Sequence, residues 1–263
     1  RLLLEQGVSA GEQTMRLPPP TLADGLSADQ QQAVFAELGG RRYPFEKLTR
    51  KSSVAPQIIR VSDLPSGDEQ KPLRTVDFWF VVYADLDALT EQQLLSKLLN
   101  SDGAWSQATA LKAEQLAARG IDADGLASGR EGWGHVASDL LDRVRFRVTG
   151  RSAWSRTDES LVAAVVVDPR FAGDAEFPNQ WRPLEREGGE LAPGKVAAYE
   201  GLGFYVKLTR LQVPEGALLA EFHLVFAEPQ GWFRGSNQLG AKLPAIIQAQ
   251  VRHARRELMR GVE

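Results

Sequence analysis

The chain has 263 residues, of which 43% are hydrophobic and 25% charged, proportions typical of globular proteins with a large core. It contains no cysteine, which excludes thiol catalysis, disulfide bonds and thiolate metal sites. The formal net charge is −3, and basic and acidic residues are well mixed without a basic stripe, so no nucleic-acid partner is expected. The one dense basic stretch, Arg252 to Arg260, is predicted to be a solvated helix face.

Residues 1–26 are weakly patterned and contain three consecutive prolines, Pro18 to Pro20. Such a run favours an extended conformation and predicts a Pro-rich lead-in ahead of a single domain over residues 27–263. No apolar run approaches the roughly 18 residues that span a bilayer, so no transmembrane segment is expected. The chain begins with Arg1, and a removed export signal is one hypothesis; a cytoplasmic location is the other.

The first half of the chain predicts helix, two strands and two helices. Ser27 and Gln30 have the spacing of a capping box, and the helix that they begin ends at Gly39 and Gly40. Strands are predicted over 57–64 and 73–86, the second apolar on both faces and therefore central in its sheet. Helices are predicted after Thr90, over 104–119 and, as a short one, over 135–142; the stretch 169–194 is predicted as a long loop.

The second half predicts long strands followed by a final helix. Val144, Phe146 and Val148 alternate with polar residues, which indicates an antiparallel sheet with one polar face. A further strand follows over 160–168, and two more form a hairpin around the turn at 214–216. Grouped strands with segregated helices indicate an α+β fold with a mostly antiparallel sheet.

The segment "FAEPQGWFRG", residues 226–235, joins the last strand to the last helix. Pro229 cannot donate to the sheet ladder and so ends the strand, while Gly231 permits the chain to reverse. Trp232 and Phe233 then lie where the sheet meets the helix. They either clamp the helix to the sheet or form an aromatic lip at a cavity.

This order of elements, together with the turn before the last helix, resembles the START/Bet v 1-like superfamily. The resemblance implies a helix-grip fold, in which a curved, mostly antiparallel sheet wraps around a long C-terminal helix. It also implies a cavity of several hundred cubic ångströms between sheet and helix for a lipid or another apolar small molecule. The expected ligand-binding residues are Phe78, Phe80, Phe146, Phe222, Leu224, Phe226, Trp232, Phe233, Leu243, Ile247 and Val251. The same apolar periodicity would equally result from a packed core.

Candidate chemistry is sparse. His135 could share a helix face with Asp139 and Asp142 as a metal site, although a solvated helix end explains the same spacing. His223 is predicted on the solvent face beside Glu221, and His253 on the polar side of the last helix. Serine-elbow and phosphate-loop motifs are absent from the sequence, so no catalytic residue, metal or cofactor is predicted.

Three hypotheses follow. The first, which we prefer, is non-catalytic binding of an apolar molecule in the cavity. The second is an enzyme on the same fold, such as a hydrolase or cyclase, which requires ionisable groups inside the cavity. The third is a cell-envelope interaction protein with an exposed apolar patch around Trp181 and Phe177. The sequence identifies no protein partner.

Overall fold

The computed structural model describes residues 2–10, 13–64, 73–90, 94–95, 108–122, 124–187, 190–233 and 237–259. The α-helices of this part are α1 (Ala28–Gly39), α2 (Phe45–Leu48), α3 (Ala113–Ala117), α4 (Asp124–Ala127) and α5 (Gln238–Met259). The strands are β1 (Val8–Ala10), β2 (Gln13–Met15), β3 (Ile58–Leu64), β4 (Leu73–Tyr83), β5 (Thr109–Ala110), β6 (Glu131–Leu140), β7 (Val144–Arg156), β8 (Ser160–Val167), β9 (Gln180–Glu187), β10 (Glu190–Pro193), β11 (Ala197–Ala198), β12 (Leu202–Arg210) and β13 (Ala217–Ala227). No helix among these residues is both long and apolar enough to cross a membrane.

Strands β3 to β13 form one sheet in which every pair is antiparallel. Its main order is β10-β9-β7-β8-β12-β13-β4-β3, with β5 and β6 attached to β7 and β11 attached to β9. The central register aligns Phe78 with Phe222 and Phe222 with Val206. Because side chains alternate between faces along a strand, these residues all lie on one face of the sheet, called here the inner face.

The inner face carries the main core, and α5 covers it. Apolar side chains of β4, β7, β8, β12 and β13 form one buried cluster with six residues of the helix: Leu239, Leu243, Ile247, Val251, Ala254 and Leu258. These positions recur every three or four residues, as expected for one face of an amphipathic helix. The predicted α+β fold, a curved antiparallel sheet that grips a long C-terminal helix, is therefore confirmed.

The opposite, outer face is also covered. Trp79 and Val81 of β4 point to this side and pack with Phe35 of α1 and Leu48 of α2. Ser27 caps the N-terminus of helix α1 in the predicted capping box. The backbone N–H of Gln30 donates to the Ser27 hydroxyl oxygen at 3.3 Å. Strand β4 is thus buried on both faces, which explains why its sequence is apolar at nearly every position.

The N-terminal residues cross the outer face of β12 and β13. Leu3, Val8 and Leu17 form a buried cluster with Tyr205 and Val225. Gly203 permits this close approach, because a Cβ atom at that position would overlap the Val8 side chain. Residues 17–24, called here the strap, continue across the face and are held by hydrogen bonds described below.

Three local predictions were wrong. Residues 135–140, predicted as the start of a short helix, belong to strand β6. The chain turns from β6 into β7 through Leu141 and Asp142, both of which have positive φ. His135 and Asp139 are therefore spaced along a strand and do not share a helix face. The predicted loop 169–194 contains the hairpin of β9 and β10. A single helix was predicted over 104–119, but the described residues of this range include strand β5 and the short helix α3. The helix predicted to start at Thr90 to Gln93 lies mostly outside the described residues.

Candidate functional site

An apolar cavity of about 180 Å³ lies between the inner face of the sheet and the start of α5. Strands β7, β12 and β13 supply its floor and one side. Strands β12 and β13 are neighbours in the sheet, whereas β8 lies between β7 and β12. The turn before α5 and the first two turns of that helix supply the cover. The lining residues are Leu140, Phe146, Tyr199, Leu202, Phe204, Phe222, Leu224, Phe226, Trp232, Leu239 and Leu243.

The strand register explains why these side chains converge. Leu202 pairs with Phe226, and Phe204 pairs with Leu224, so the four lie side by side on the inner face. The Phe222 ring stacks on the rings of Phe204 at 5.1 Å and Phe78 at 4.7 Å between centroids. Phe204 and Phe222 line the cavity, whereas Phe78 lies behind Phe222 in the buried core.

The structure places the eleven predicted binding residues in two groups. The six that line the cavity are Phe146, Phe222, Leu224, Phe226, Trp232 and Leu243. The other five are buried in the same apolar cluster away from the cavity wall: Phe78, Phe80, Phe233, Ile247 and Val251. The sequence pattern had left open whether such residues line a cavity or pack in the core, and these five pack in the core.

Five lining residues were absent from the prediction: Leu140, Tyr199, Leu202, Phe204 and Leu239. Leu202 and Phe204 share the alternation phase of the predicted hairpin partners, so register alone could have identified them. Leu239 precedes Leu243 by one helical turn and could also have been included. Leu140 is the last residue of β6, and Tyr199 directly follows β11. At these positions the alternation of apolar and polar residues gives no prediction, and only the tertiary structure shows that both line the cavity.

Two lining side chains carry polar atoms. The Tyr199 hydroxyl donates to the Ala227 carbonyl at 3.2 Å, and burial raises the pKa of Tyr199 far above its ordinary value. The Trp232 ring stacks on Tyr199 at 5.3 Å between centroids, and its Nε1 finds no hydrogen-bond partner within the part of the chain that the structure describes. Neither polar atom contributes appreciably to the cavity surface, which is almost entirely apolar.

The turn that follows β13 positions Trp232. Strand β13 ends at Ala227, and residues Gln230–Trp232 form a short 3-10 helix in which the Trp232 amide donates to the Pro229 carbonyl at 2.9 Å. Trp232 and Phe233 are both buried in the main core, and Trp181 packs edge-on against Trp232. Trp232 thus fixes the turn to the sheet and also forms part of the cavity wall.

A second cluster of polar residues lies outside the cavity, under the strap. His223 contacts two carboxylates: its Nδ1 is 2.7 Å from Asp77 Oδ1 and its Nε2 is 3.4 Å from Glu221 Oε2. Tyr205 stacks on the imidazole and Trp79 packs edge-on against it. His223 is 2% exposed, so the prediction of a solvent-exposed position was wrong; the strap covers what an isolated sheet would leave open to water.

The carboxylates of this cluster favour the protonated form of His223. Burial lowers the pKa of His223, but hydrogen bonds to Asp77 and Glu221 raise it more, and the net pKa lies above the ordinary value. Glu221 Oε2 also accepts from the Thr21 amide at 2.6 Å. An imidazolium between two carboxylates is a stable arrangement in a buried site, and it also links the sheet to the strap.

His135 is buried as a neutral ring. The Thr149 hydroxyl donates to the Phe177 carbonyl, so His135 Nδ1–H donates to Thr149 Oγ1 at 2.9 Å, while Arg147 donates to Nε2. Burial and the Arg147 cation lower the pKa of His135 to about 4. Asp139 is paired with Arg145 instead, and no group of three potential metal ligands occurs among the described residues. The predicted alternative of a metal site at His135 has no geometric support.

A larger recess of about 530 Å³ lies at the other side of Tyr199, between the N-terminal residues and the end of β8. Its charged side chains are already paired. Arg170 contacts Asp168 at 2.6 Å, and Arg151 contacts Glu131 at 2.6 Å. Asp168 also accepts from Trp133 Nε1. This recess has a mixed polar and apolar wall, and the two arginines that line it are already in ion pairs, which makes the apolar cavity the better candidate site.

The fold and the cavity together define a helix-grip protein of the α+β class with an apolar pocket under its C-terminal helix. No protein-family model matches the chain, and the curated proteins contain no match. Among solved structures, the chain is similar to human STARD10, with 10% identity and a TM-score of 0.42 over 89% of this chain and 84% of that one. It is also similar to the "lipid transfer and protein localization domain" of human StarD13 (DLC2), with 11% identity and a TM-score of 0.40 over 76% of this chain and 89% of that one. These likenesses assign no role to any residue.

Proposed function

We propose that the chain binds an apolar small molecule, or the apolar part of a lipid, in the cavity between the sheet and α5, without catalysing a reaction on it. The observation that carries this proposal is the composition of the cavity wall. Nine of the eleven lining residues are Leu or Phe, and the other two are Tyr199 and Trp232. Apolar walls with few polar groups are typical of sites that bind apolar molecules.

The position of the ionisable groups favours binding over catalysis. General acid–base catalysis requires a titratable group within hydrogen-bond distance of the reacting atoms. The buried histidines lie elsewhere: His223 is on the outer face of the sheet, and His135 packs beside Phe177. Tyr199 is the one titratable group on the cavity wall, and its raised pKa keeps it protonated near neutral pH.

The size of the cavity limits the ligand. At about 180 Å³ it is smaller than the several hundred cubic ångströms expected from the sequence. Since an apolar cavity of roughly 150 Å³ accepts benzene, this one fits a molecule or chain end slightly larger than benzene, of about seven to nine non-hydrogen atoms. A whole lipid would require α5 to move away from the sheet.

The third hypothesis has less support. Phe177, which was predicted to form an exposed apolar patch with Trp181, is buried beside Leu111, Trp133 and Phe171. Trp181 is partly buried and packs edge-on against Trp232. These contacts leave no basis for a docking surface centred on the two residues.

Native mass spectrometry of freshly purified protein is the direct test. A co-purifying small mass that is released by mild activation supports the proposal. A matched pair of variants on α5 then locates the site, because Leu243 lines the cavity whereas Ile246 is exposed on the same helix. Leu243→Phe fills the cavity and should abolish the extra mass, while Ile246→Phe should retain it.

If no preparation carries such a mass, binding of α-methylstyrene, an apolar molecule of suitable size, can be measured by its effect on the thermal midpoint. A stabilisation that Leu243→Phe removes and Ile246→Phe keeps supports the proposal. The absence of binding to the unmodified protein in both experiments, or equal binding to the two variants, would overturn it.

A further inference from the structure

We propose that a surface around α2 docks the protein onto an anionic lipid bilayer. Five cations and one apolar side chain form this surface, called here the basic surface: Arg41, Arg42, Lys47, Arg50, Lys51 and Val54. It lies apart from the apolar cavity, so the inference goes beyond the proposed function and does not depend on it.

The charge of this segment contrasts with that of the whole chain. Residues 41–54 contain five cations and one carboxylate, Glu46, whereas the formal net charge of the chain is −3. Arg252 to Arg260 was predicted to be the one dense basic stretch, and the segment before β3 is a second one. Clusters of about four to eight Lys and Arg residues are typical of surfaces that bind anionic lipids.

The fold holds this segment rigidly and directs its cations outward. Leu48 is buried against the outer face of the sheet together with Phe35. Phe45 packs edge-on against Phe35 at 5.1 Å between centroids, and the Tyr83 hydroxyl donates to the Thr49 carbonyl. Because these residues occupy the inner side of the segment, all five cationic side chains are exposed to solvent.

The five cations have no carboxylate partner within the part of the chain that the structure describes. Arg42 and Lys51 instead lie over the rings of Tyr43 and Tyr83, at 5.2 Å and 5.5 Å from the centroids. Arg151 of β7, in contrast, contacts a carboxylate at 2.6 Å. The positive charge of the basic surface is therefore available to anions outside the protein.

Val54 favours a bilayer over an acidic polypeptide as the partner. It is 62% exposed, the highest fraction among the large apolar side chains that the structure describes. It lies in a tight turn in which the Ala55 amide donates to the Ser52 carbonyl at 3.1 Å, three residues after Lys51. An exposed valine alone is common on protein surfaces. Beside five cations it matches a bilayer, which offers anionic headgroups and an apolar layer directly beneath them.

The basic surface and the cavity lie towards opposite ends of α5. Arg255 donates to the carbonyls of Ala55 and Pro56, the two residues that follow Val54. Leu243 of the cavity wall precedes Arg255 by about 18 Å along the helix axis. Docking therefore requires neither an occupied cavity nor a movement of α5, and either proposal can fail without the other.

Sedimentation with lipid vesicles measures docking. The unmodified protein should bind vesicles of about 70% phosphatidylcholine and about 30% phosphatidylserine, and it should not bind vesicles of phosphatidylcholine alone. Raising NaCl from about 50 mM to about 300 mM should weaken this binding at least tenfold, because salt screens exposed charges. A protein that does not bind the anionic vesicles at the lower salt concentration would overturn the inference. If it binds polyglutamate instead, the partner is an acidic polypeptide.

A triple variant locates the docking surface. Lys47→Gln, Arg50→Gln and Lys51→Gln together should weaken binding to the anionic vesicles by at least about tenfold, since one cation near such a membrane contributes roughly fivefold. The matched control replaces three cations that are exposed elsewhere by Gln: Arg130, Lys195 and Lys242. It should weaken binding by less than about threefold. Equal losses in two variants with unchanged thermal midpoints would mean that net charge alone drives binding.

A fluorescent label reports whether the apolar tip meets the bilayer. Because the chain contains no cysteine, Val54→Cys provides a single attachment site for the environment-sensitive dye NBD. On binding to anionic vesicles, its emission should move to shorter wavelength, as it does in apolar surroundings. Val196→Cys is the control, because Val196 is 45% exposed and belongs to a different part of the fold. Sedimentation without a shift at position 54 would show that another surface docks, and it would overturn the inference.

Discussion

His223 illustrates how one residue joins two parts of the molecule. Its ring lies between Asp77 on β4 and Glu221 on β13, and Glu221 in turn accepts from the Thr21 amide of the strap. The positive charge of the protonated imidazole offsets one of the two carboxylate charges. Without it, Glu221, which is fully buried, would hold an uncompensated charge under the strap.

The pH dependence of stability tests this role. The folded pKa of His223 is raised above the unfolded value of about 6.5, so its contribution is complete below that pH and is lost as the pH rises through the folded pKa. His223→Gln should therefore cost on the order of 2 kcal/mol below pH 6.5 and less at alkaline pH. Urea denaturation between about pH 5.5 and about pH 9 measures the difference. A difference that does not change with pH would contradict the assignment.

At the scale of elements, Arg255 attaches α5 to the sheet. It was predicted to lie on a solvated basic helix face, but its guanidinium is 1% exposed and its Nε donates to the Val81 carbonyl at 2.9 Å. Further hydrogen bonds reach the carbonyls of Ala55 and Pro56. Burial lowers the pKa of Arg255 to about 10, which leaves it cationic at neutral pH.

Arg255→Met should destabilise the protein by about 2–4 kcal/mol, because three carbonyls lose a donor and two of these hydrogen bonds are fully buried. Arg252 is exposed on the same helix, and Arg252→Met should change the free energy of unfolding by less than about 0.5 kcal/mol. Chemical denaturation compares the two variants. Equal effects would mean that the helix is held by its apolar face alone.

The strap is the second element whose attachment can be measured. Lys207 of β12 donates to the Leu22 carbonyl at 2.8 Å and to Asp24 at 2.7 Å, while Tyr205 donates to the Pro18 carbonyl. These contacts hold the segment next to the exposed Arg16, after which trypsin can cleave. Detachment of the strap should therefore control the rate of cleavage at this position.

Lys207→Met should accelerate trypsin cleavage after Arg16 by about tenfold, the factor that corresponds to the loss of one or two hydrogen bonds. Lys242→Met, at an exposed position of α5, serves as the control. Mass spectrometry of the released residues 1–16 follows the reaction. An unchanged rate in Lys207→Met would show that the apolar contacts of Leu17 and Leu22 suffice.

At the scale of the whole molecule, the cavity interrupts an otherwise packed core. Phe222 lies at the boundary, stacked between Phe78 and Phe204. Phe222→Ala should cost about 3–5 kcal/mol and enlarge the cavity. Naphthalene, which is larger than the cavity suits at present, should then bind and recover part of the lost stability.

Phe35→Ala on the outer face is the control, because Phe35 is equally buried but remote from the cavity. It should be destabilised to a similar extent, and naphthalene should stabilise it no more than the unmodified protein. Thermal unfolding with and without naphthalene measures both variants. An equal gain in the two variants would mean that naphthalene binds elsewhere.

Periodic patterns in the sequence were sufficient to predict the main elements of the fold. Alternation identified β4, β7 and the β12–β13 hairpin, and helical spacing identified α1 and α5, because the burial of one face repeats along each element. The same patterns failed for β6, where His135 and Asp139 occupy one face of a strand, and for the β9–β10 hairpin, whose residues are mostly polar.

The sequence alone determined the class of the fold, its order of elements and an apolar inner face, since these depend on local periodicity and turn chemistry. Only the tertiary structure decided which apolar residues line the cavity, because Phe146, Phe222 and Trp232 border it while Phe78 and Ile247 fill the core with the same periodicity. The burial of His223 depends on a strap about 200 residues away in sequence, and Arg255 reaches carbonyls equally distant. Such contacts form between distant segments, and no pattern within either segment records them.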